Sequence, residues 1–384
     1  MSIVTTKPKL QVLDGAEVPA EALAAFFREV WDQRATAESV SRGRREAAIS
    51  NLAEPGVEVP TAVVLVDDRV VGYCSTLPIE IWDGRAGQPG YWVKGLMVLP
   101  EYRNGPIGYL VLKALVGRLP RSAALTVAPA SLRLMEALGY ANLGTLPNYA
   151  YVLRPGRLAS KAPTAWLEQR FPDAFASAVR WAQRSGLLAV SGTAIGLGIC
   201  AITGVYALPQ LGLSVSHSDQ LPPPDDLDRL WLDVRCSRWS RVVRNARYLN
   251  HRYCQDRYHF VTVKDRGVLR ALAVLRAPRE QTDDRVRGVS LGTLSDLVVR
   301  RGDWRAATAA TRGATALARQ LGGDALLAST SSRWIGRLLV SQAWLPLPGN
   351  LRFLVRDRDA AHPWPTDLGQ WWLMRGDGES DGAL

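Results

Sequence analysis

Of 384 residues, only four are cysteine and four are histidine. The cysteines, Cys74, Cys200, Cys236 and Cys254, are scattered and include no Cys-x-x-Cys pair. A disulfide framework or zinc site is therefore not expected, and a reducing cytoplasm fits best. The histidines, His217, His251, His259 and His362, form no His-x-x-x-His pair, which argues against a metal hydrolase. The opening residues, MSIVTTKPKL, lack the apolar core of a secretory signal. One long stretch, residues 185–218, has no Asp, Glu, Lys or Arg at all.

What is present points to folded domains. Hydrophobic residues make up 47% of the chain, which argues against disorder. The length leaves room for about two domains. Forty-seven basic residues against 36 acidic ones leave a net charge of +11. Such a surface favours an anionic partner, whether CoA, a nucleotide sugar, lipid headgroups or RNA.

The chain is organised around residues 93–108, VKGLMVLPEYRNGPIG. Leu96, Met97, Val98 and Leu99 read as a buried strand that Pro100 ends. A turn rich in Arg, Asn and Gly follows. Ile107, Tyr109, Leu110, Val111, Leu112 and Leu115 then suggest a helix. A strand emptying through such a turn into a helix N-terminus presents several backbone N–H groups, which suits a phosphate or pyrophosphate. Upstream, residues 61–66 and 69–77 read as strands joined by an Asp67-Asp68 hairpin turn. Downstream, residues 123–127 read as a strand and residues 130–138 as a helix closed by Gly139.

These elements, with DDRVVGYCSTLPIEIWDG before the loop and MEALGYANLGTLPNYAYVLRP after it, resemble the GNAT N-acyltransferase family over about the first 145 residues. The resemblance implies that the N–H groups of Asn104, Gly105, Ile107 and Gly108 hold the pyrophosphate of acetyl-CoA or another acyl-CoA, with Arg103 adding charge and Tyr109 following. Main-chain groups along Leu96, Met97 and Val98 would align the pantetheine arm. Glu80 is the candidate general base, ahead of Asp83. Two departures stand out. Pro106 occupies a loop position where the family has glycine and offers no N–H. Met135 stands where the family often has the tyrosine that protonates the thiolate, leaving Tyr140, with Tyr149 and Tyr151 nearby, as the candidate acid.

Beyond this half, residues 163–184 read as a helix. The core of the charge-free stretch, residues 186–208, is long enough to cross a bilayer. It reads first as a buried helix or hairpin between domains, then as a membrane-dipping hairpin that would make the protein peripheral to a membrane, and last as a single span. Residues 221–226 (LPPPDD) mark a boundary. Arg235, Arg238, Arg241, Arg244 and Arg247 then recur every three residues and read as a solvated basic helix or a clamp for an anionic group. The order hairpin, strand, long helix, strand, helix, strand repeats in residues 258–355. A second, degenerate GNAT-like domain is therefore expected, whose loop, VVRRGDWRA, has no Gly-x-Gly. Asp377, Glu379 and Asp381 form an acidic tail, solvated or lining an amine site.

The expected architecture is thus α/β (α+β): two GNAT-like domains, residues 1–155 and 223–384, each a mixed, mostly antiparallel sheet flanked by helices, around an apolar helical linker, residues 156–222. The expected function is acyl-CoA-dependent N-acyl transfer to the amine of a small metabolite or amino sugar. The competing readings are a GNAT-fold scaffold that has lost its chemistry and a Fem-type aminoacyl-tRNA-dependent transferase. Nucleic acid is not the expected partner, because no RNA-binding signature accompanies the arginines.

Overall fold

The computed structural model describes residues 9–49, 51–52, 56–161, 212–235, 239–283, 286–358 and 363–378. The helix expected over 163–184, the apolar run 186–208, and Glu379 and Asp381 lie outside the described residues. In chain order the elements are β1 (Leu10–Asp14), α1 (Ala20–Val30), α2 (Ala37–Ile49), β2 (Thr61–Val66), β3 (Arg69–Trp82), β4 (Gly87–Val98), α3 (Ile107–Arg118), β5 (Arg121–Leu125), α4 (Pro129–Ala137), β6 (Ala141–Val152) and α5 (Pro155–Lys161). There follow β7 (Leu213–Ser218), α6 (Pro224–Arg235), β8 (Arg241–Val242), α7 (Ala246–Arg252), β9 (Tyr258–Asp265), β10 (Val268–Glu280), β11 (Ser290–Val299), α8 (Trp304–Gln320), β12 (Ala325–Ser329), α9 (Arg333–Ser341) and β13 (Leu345–Asp357). Among the described residues, no helix is long and apolar enough to cross a membrane.

The chain forms two units whose segments interleave. The first comprises Met1–Gly144, Ser240–Val243 and Arg352–Gln370; the second comprises Thr145–Trp239, Arg244–Leu351 and Trp371–Leu384.

In the first unit, β1 to β4 pair antiparallel in sequence order. The β2–β3 turn places Asp67 and Asp68 at φ 48° and 66°, the left-handed conformation that a two-residue hairpin loop needs and that Asp tolerates. β4 then pairs parallel with β5, and β5 pairs antiparallel with the end of β13, Phe353 to Asp357. That last strand is held by a buried ion pair: Arg121 Nε donates to Asp357 Oδ1 at 3.1 Å, with both side chains under 10% exposed. Arg356 adds bonds to the carbonyls of Leu138 and Val116. The helix α3 rests on β3 at Gly72, where an added Cβ would lie 2.7 Å from Ile107 Cγ2. A larger residue there would push the start of α3 off the sheet.

The second unit repeats the plan. β7, β9, β10 and β11 pair antiparallel, β11 pairs parallel with β12, and β12 pairs antiparallel with Asn148 to Val152 of β6. Residues 213–218, the end of the charge-free stretch, are thus a strand. The small-residue face of α8 is buried in this core through Ala307, Thr311, Ala314 and Ala318.

Each unit therefore completes its sheet with a strand from far along the sequence. Removing the arginine of the ion pair that secures β13 should be costly, because it takes the Arg121 counter-charge from a buried carboxylate. Arg121→Met is expected to destabilise the first unit by about 3–5 kcal/mol, and adding Asp357→Leu should restore most of that loss. Urea denaturation of the two variants provides the comparison.

Candidate functional site

The site begins where two parallel strands part. β4 and β5 are in register only at Tyr91↔Ser122 and Trp92↔Ala123. Beyond Trp92, β4 continues to Val98 along β3 alone. Gly95 and Leu96 together oppose Cys74, since Ser75 faces Lys94 and Tyr73 faces Met97. Gly95 takes φ +62°, the left-handed first position of a bulge that favours glycine and bends the strand. Leu96, Met97 and Val98 are half-buried and leave this bulge along the edge that β5 has vacated.

The turn that follows is ordered by its own backbone. Tyr102 N–H donates to the Leu99 carbonyl, Arg103 N–H to Pro100 and Gly105 N–H to Tyr102. Arg103 Nε donates to the Val98 carbonyl at 3.1 Å, which holds the exposed guanidinium against the end of β4. Among the described residues, no carboxylate pairs with Arg103; the neighbouring Glu101 pairs with Arg69. The first intrahelical bond of α3 runs from Leu110 N–H to the Pro106 carbonyl. The N–H groups of Ile107, Gly108 and Tyr109 precede it, and Pro106 supplies no side-chain cap. A helix start of this kind, with no acidic residue in its first turn, is suited to an anion.

The two loop glycines are informative for what does not surround them. A Cβ at Gly105 would come no closer than 3.4 Å to any neighbour, and one at Gly108 would lie 3.4 Å from Leu134 Cδ1 and 3.7 Å from Val98 Cγ2. Neither residue has the positive φ that demands glycine. The fold could carry a side chain at both positions. What glycine supplies at both is backbone without side-chain bulk.

On the sheet face bearing Tyr73 and Ser75, α1 and α2 enclose a cavity of about 580 Å³. Leu23, Phe27, Val40 and Tyr73 provide apolar and aromatic wall, with Phe27 edge-on to Tyr73 at 5.0 Å. Asp32 and Glu58 also line it, and Lys94 brings it to β4 one residue before the bulge.

No family profile and no curated protein sequence matches the chain. Solved structures do. A GCN5-related N-acetyltransferase from Anabaena variabilis aligns with a TM-score of 0.56 at 12% identity, over 92% of this chain and 74% of its own. A probable N-acyltransferase from Enterococcus faecalis gives 0.55 at 10% identity, over 93% and 74%. The N-myristoyltransferase of Saccharomyces cerevisiae, solved with bound myristoyl-CoA, gives 0.50 at 15% identity, over 92% and 85%. The chain has the GNAT fold. At these identities the likeness is one of fold.

Within this GNAT fold the predicted residues fall into two groups. Leu96, Met97, Val98, Arg103, Asn104, Gly105, Ile107, Gly108 and Tyr109 lie on one continuous strand, turn and helix start. Glu80 lies elsewhere: it pairs in register with Pro89, is exposed, and lays its carboxylate over the Cα of Gly87. From Pro89 to Lys94 is five residues, or about 16 Å of strand. Asp83 binds the Arg85 and Ala86 N–H groups of its own turn. Tyr140 is a core residue whose hydroxyl hydrogen-bonds Ser122 Oγ at 2.7 Å. Burial raises its pKa far above the usual tyrosine range, opposed by the Ser122 bond. Met135 is buried in the same core. Tyr149 and Tyr151 belong to the second unit, opposite Ala328 and Leu326.

Among the described residues the arginine series is not a helical stripe; Arg238 lies outside them. Arg235 ends α6, Arg241 is buried in β8, and Arg247 is exposed on α7. Arg244 is buried between two carboxylates, with Nε 2.8 Å from Asp296 Oδ2 and Nη2 2.7 Å from Asp377 Oδ2. Asp377 is accordingly an interior group rather than a solvated tail residue. Burial pushes its pKa up to about 6 against the pull of Arg244. Sequence spacing gave no sign of this cluster, whose members are 52 and 133 residues apart.

Because the surroundings of Gly108 leave space for a methyl group, Gly108→Ala should leave the unfolding midpoint unchanged or raise stability by up to about 1 kcal/mol. Thermal denaturation checks this, and a clear loss of stability would show that the glycine serves packing.

Proposed function

We propose that the first unit is an acyl-CoA-dependent N-acyltransferase that modifies the amine of a small metabolite or amino sugar. The observation that carries this reading is the loop of residues 103–109. Its glycines are not required by the packing around them, its helix start has no side-chain cap and, among the described residues, its arginine pairs with no carboxylate. A pyrophosphate satisfies all three features at once. Asn104, Ile107, Gly108 and Tyr109 would hold it by backbone N–H, with Gly105, whose own N–H closes the turn onto Tyr102, adding no side-chain bulk, and the edge of Leu96 to Val98 would receive the amides of the pantetheine arm. The acyl carbonyl would then reach the bulge at Gly95, beside the cavity that ends at Lys94.

The chemistry asked of this geometry is modest. A neutral amine attacks the thioester carbonyl, the C–N bond forms, the C–S bond breaks, and the amine proton leaves through solvent. Holding the two reactants together supplies most of the acceleration. The cavity between α1 and α2 suits an acceptor with an apolar body, and the carboxylates of Asp32 and Glu58 suit its ammonium form before proton loss. A second reading, a GNAT-fold protein that binds acyl-CoA without turnover, draws support from Met135 and Tyr140, since neither offers an acid to the thiolate.

Calorimetry with acetyl-CoA is expected to show binding that Arg103→Glu weakens at least about tenfold and Gly108→Ala weakens without loss of stability. Absence of binding to the wild-type chain would reject the acyl-CoA reading. Binding without thiol release across a panel of primary amines would favour the non-catalytic one. In an active assay, Glu80→Gln should change kcat by less than about threefold, given the carboxylate's distance from the bulge. A loss of about a hundredfold or more would restore Glu80 as the base.

A further inference from the structure

The second unit contains the same parting of strands as the first. β11 and β12 are in register from Leu291↔Ala325 to Leu294↔Ala328, and β11 then runs on to Val299 along β10 alone. Here, however, residues 371–377 fill the gap. On the β12 side, Thr330 bridges Met374, Thr330 Oγ1 donates to the Leu373 carbonyl, Ser331 Oγ donates to Trp371 and accepts from Leu373 N–H, and Arg375 Nη1 donates to Ser329 Oγ. On the β11 side, Gly376 lies so close that a Cβ would stand 2.8 Å from the Ser295 carbonyl oxygen. Arg244 clamps Asp377 to Asp296 of β11, and Arg252 donates to the carbonyls of Gly376 and Gly378. Trp371, Leu373 and Met374 have no exposed surface.

The helix start that would face a phosphate is also closed. Asp303 caps α8, with Oδ1 accepting from Ala306 N–H at 3.0 Å and Oδ2 paired with Arg270 at 3.1 Å. Trp304 N–H donates to the Gly302 carbonyl. A carboxylate thus occupies the position where an anion would bind. From Trp304, an aromatic series passes through Trp334 to Trp372 of the tail, with ring centroids 5.2 and 6.1 Å apart.

We propose that residues 371–378 are a built-in strap that occupies the cleft of the second unit, latched by Arg244 across Asp296 and Asp377, so that the chain carries one acyl-CoA site, in the first unit. The strap makes the hydrogen bonds to the end of β12 that an extended ligand would make, and Asp303 makes the contact of the phosphate. The proposal rests on the acyl-CoA reading of the first unit only in its count of one site; the closure itself stands on the contacts within the second.

Amide hydrogen exchange on the full chain, with and without acetyl-CoA, tests it. The amides of 372–377 are expected to exchange as slowly as those of β11, and acetyl-CoA should change protection only within 94–109. Ser331→Ala should speed exchange in the strap by about tenfold or more, and Arg244→Met by more still, with 94–109 unaffected. Should Arg244→Met fail to fold, Ser331→Ala carries the test. Protection gained at 293–307 on adding acetyl-CoA, or a strap indifferent to the folded variants, would overturn the proposal. A slow strap with no response to acetyl-CoA anywhere would support the closure while removing the reading of the first unit.

Discussion

Two parallel strands that separate after a few residue pairs create a requirement that governs much of this structure. The strand that continues alone presents backbone N–H and C=O groups along its vacated edge, and such groups must find partners when they leave water. In the first unit the separation follows Trp92, is sharpened by the Gly95 bulge, and leads into a turn and helix start that stay open. In the second it follows Leu294, and residues 371–377 lie in the gap, held by Thr330 and Ser331 after β12 and by the Arg244 clamp to the Asp296 side chain of β11. The same local geometry therefore leaves an open edge in one unit and a place for the chain itself in the other.

The contrast between the two helix starts follows the same logic. α3 begins at Pro106-Ile107-Gly108, with no side-chain cap and no acidic residue in its first turn; α8 begins at Asp303, whose carboxylate binds both its own helix and Arg270. A helix N-terminus carries partial positive charge. A capping aspartate spends that charge on stability, typically about 1 kcal/mol, whereas an uncapped start keeps it available to an incoming anion. Pro106 removes one N–H but also fixes the backbone entering α3, so the remaining donors of residues 107–109 stay in order.

Local features of this fold were legible in the sequence because they depend on neighbours a few residues away. Asp67-Asp68 announced its hairpin and takes the left-handed φ that such a turn requires. The strand, turn and helix of residues 93–118 followed from apolar spacing and Pro100. What could not be read was set by distant partners. The exchange that brings Phe353 to Asp357 beside β5, and Asn148 to Val152 beside β12, leaves no periodic trace, because any edge-compatible strand would satisfy the pattern. Tyr140 carries the same hydroxyl whether it serves a thiolate or Ser122, and only the packing decides.

Arg244 shows why charge patterning misled most where the interior is polar. A three-residue recurrence of arginine reads as a basic surface, since isolated cations rarely leave water. Burial becomes tolerable only when carboxylates arrive with the right geometry, and here both come from other segments, Asp296 in β11 and Asp377 near the end of the described chain. A buried pair of this kind adds little net stability against a hydrophobic substitute, yet losing one member is severe. It accordingly fixes position more than it adds stability. Residues 371–378 cannot slide or detach without giving up the Asp377 contact to Arg244 and the Arg252 bonds to the carbonyls of Gly376 and Gly378, and the cleft of the second unit stays filled.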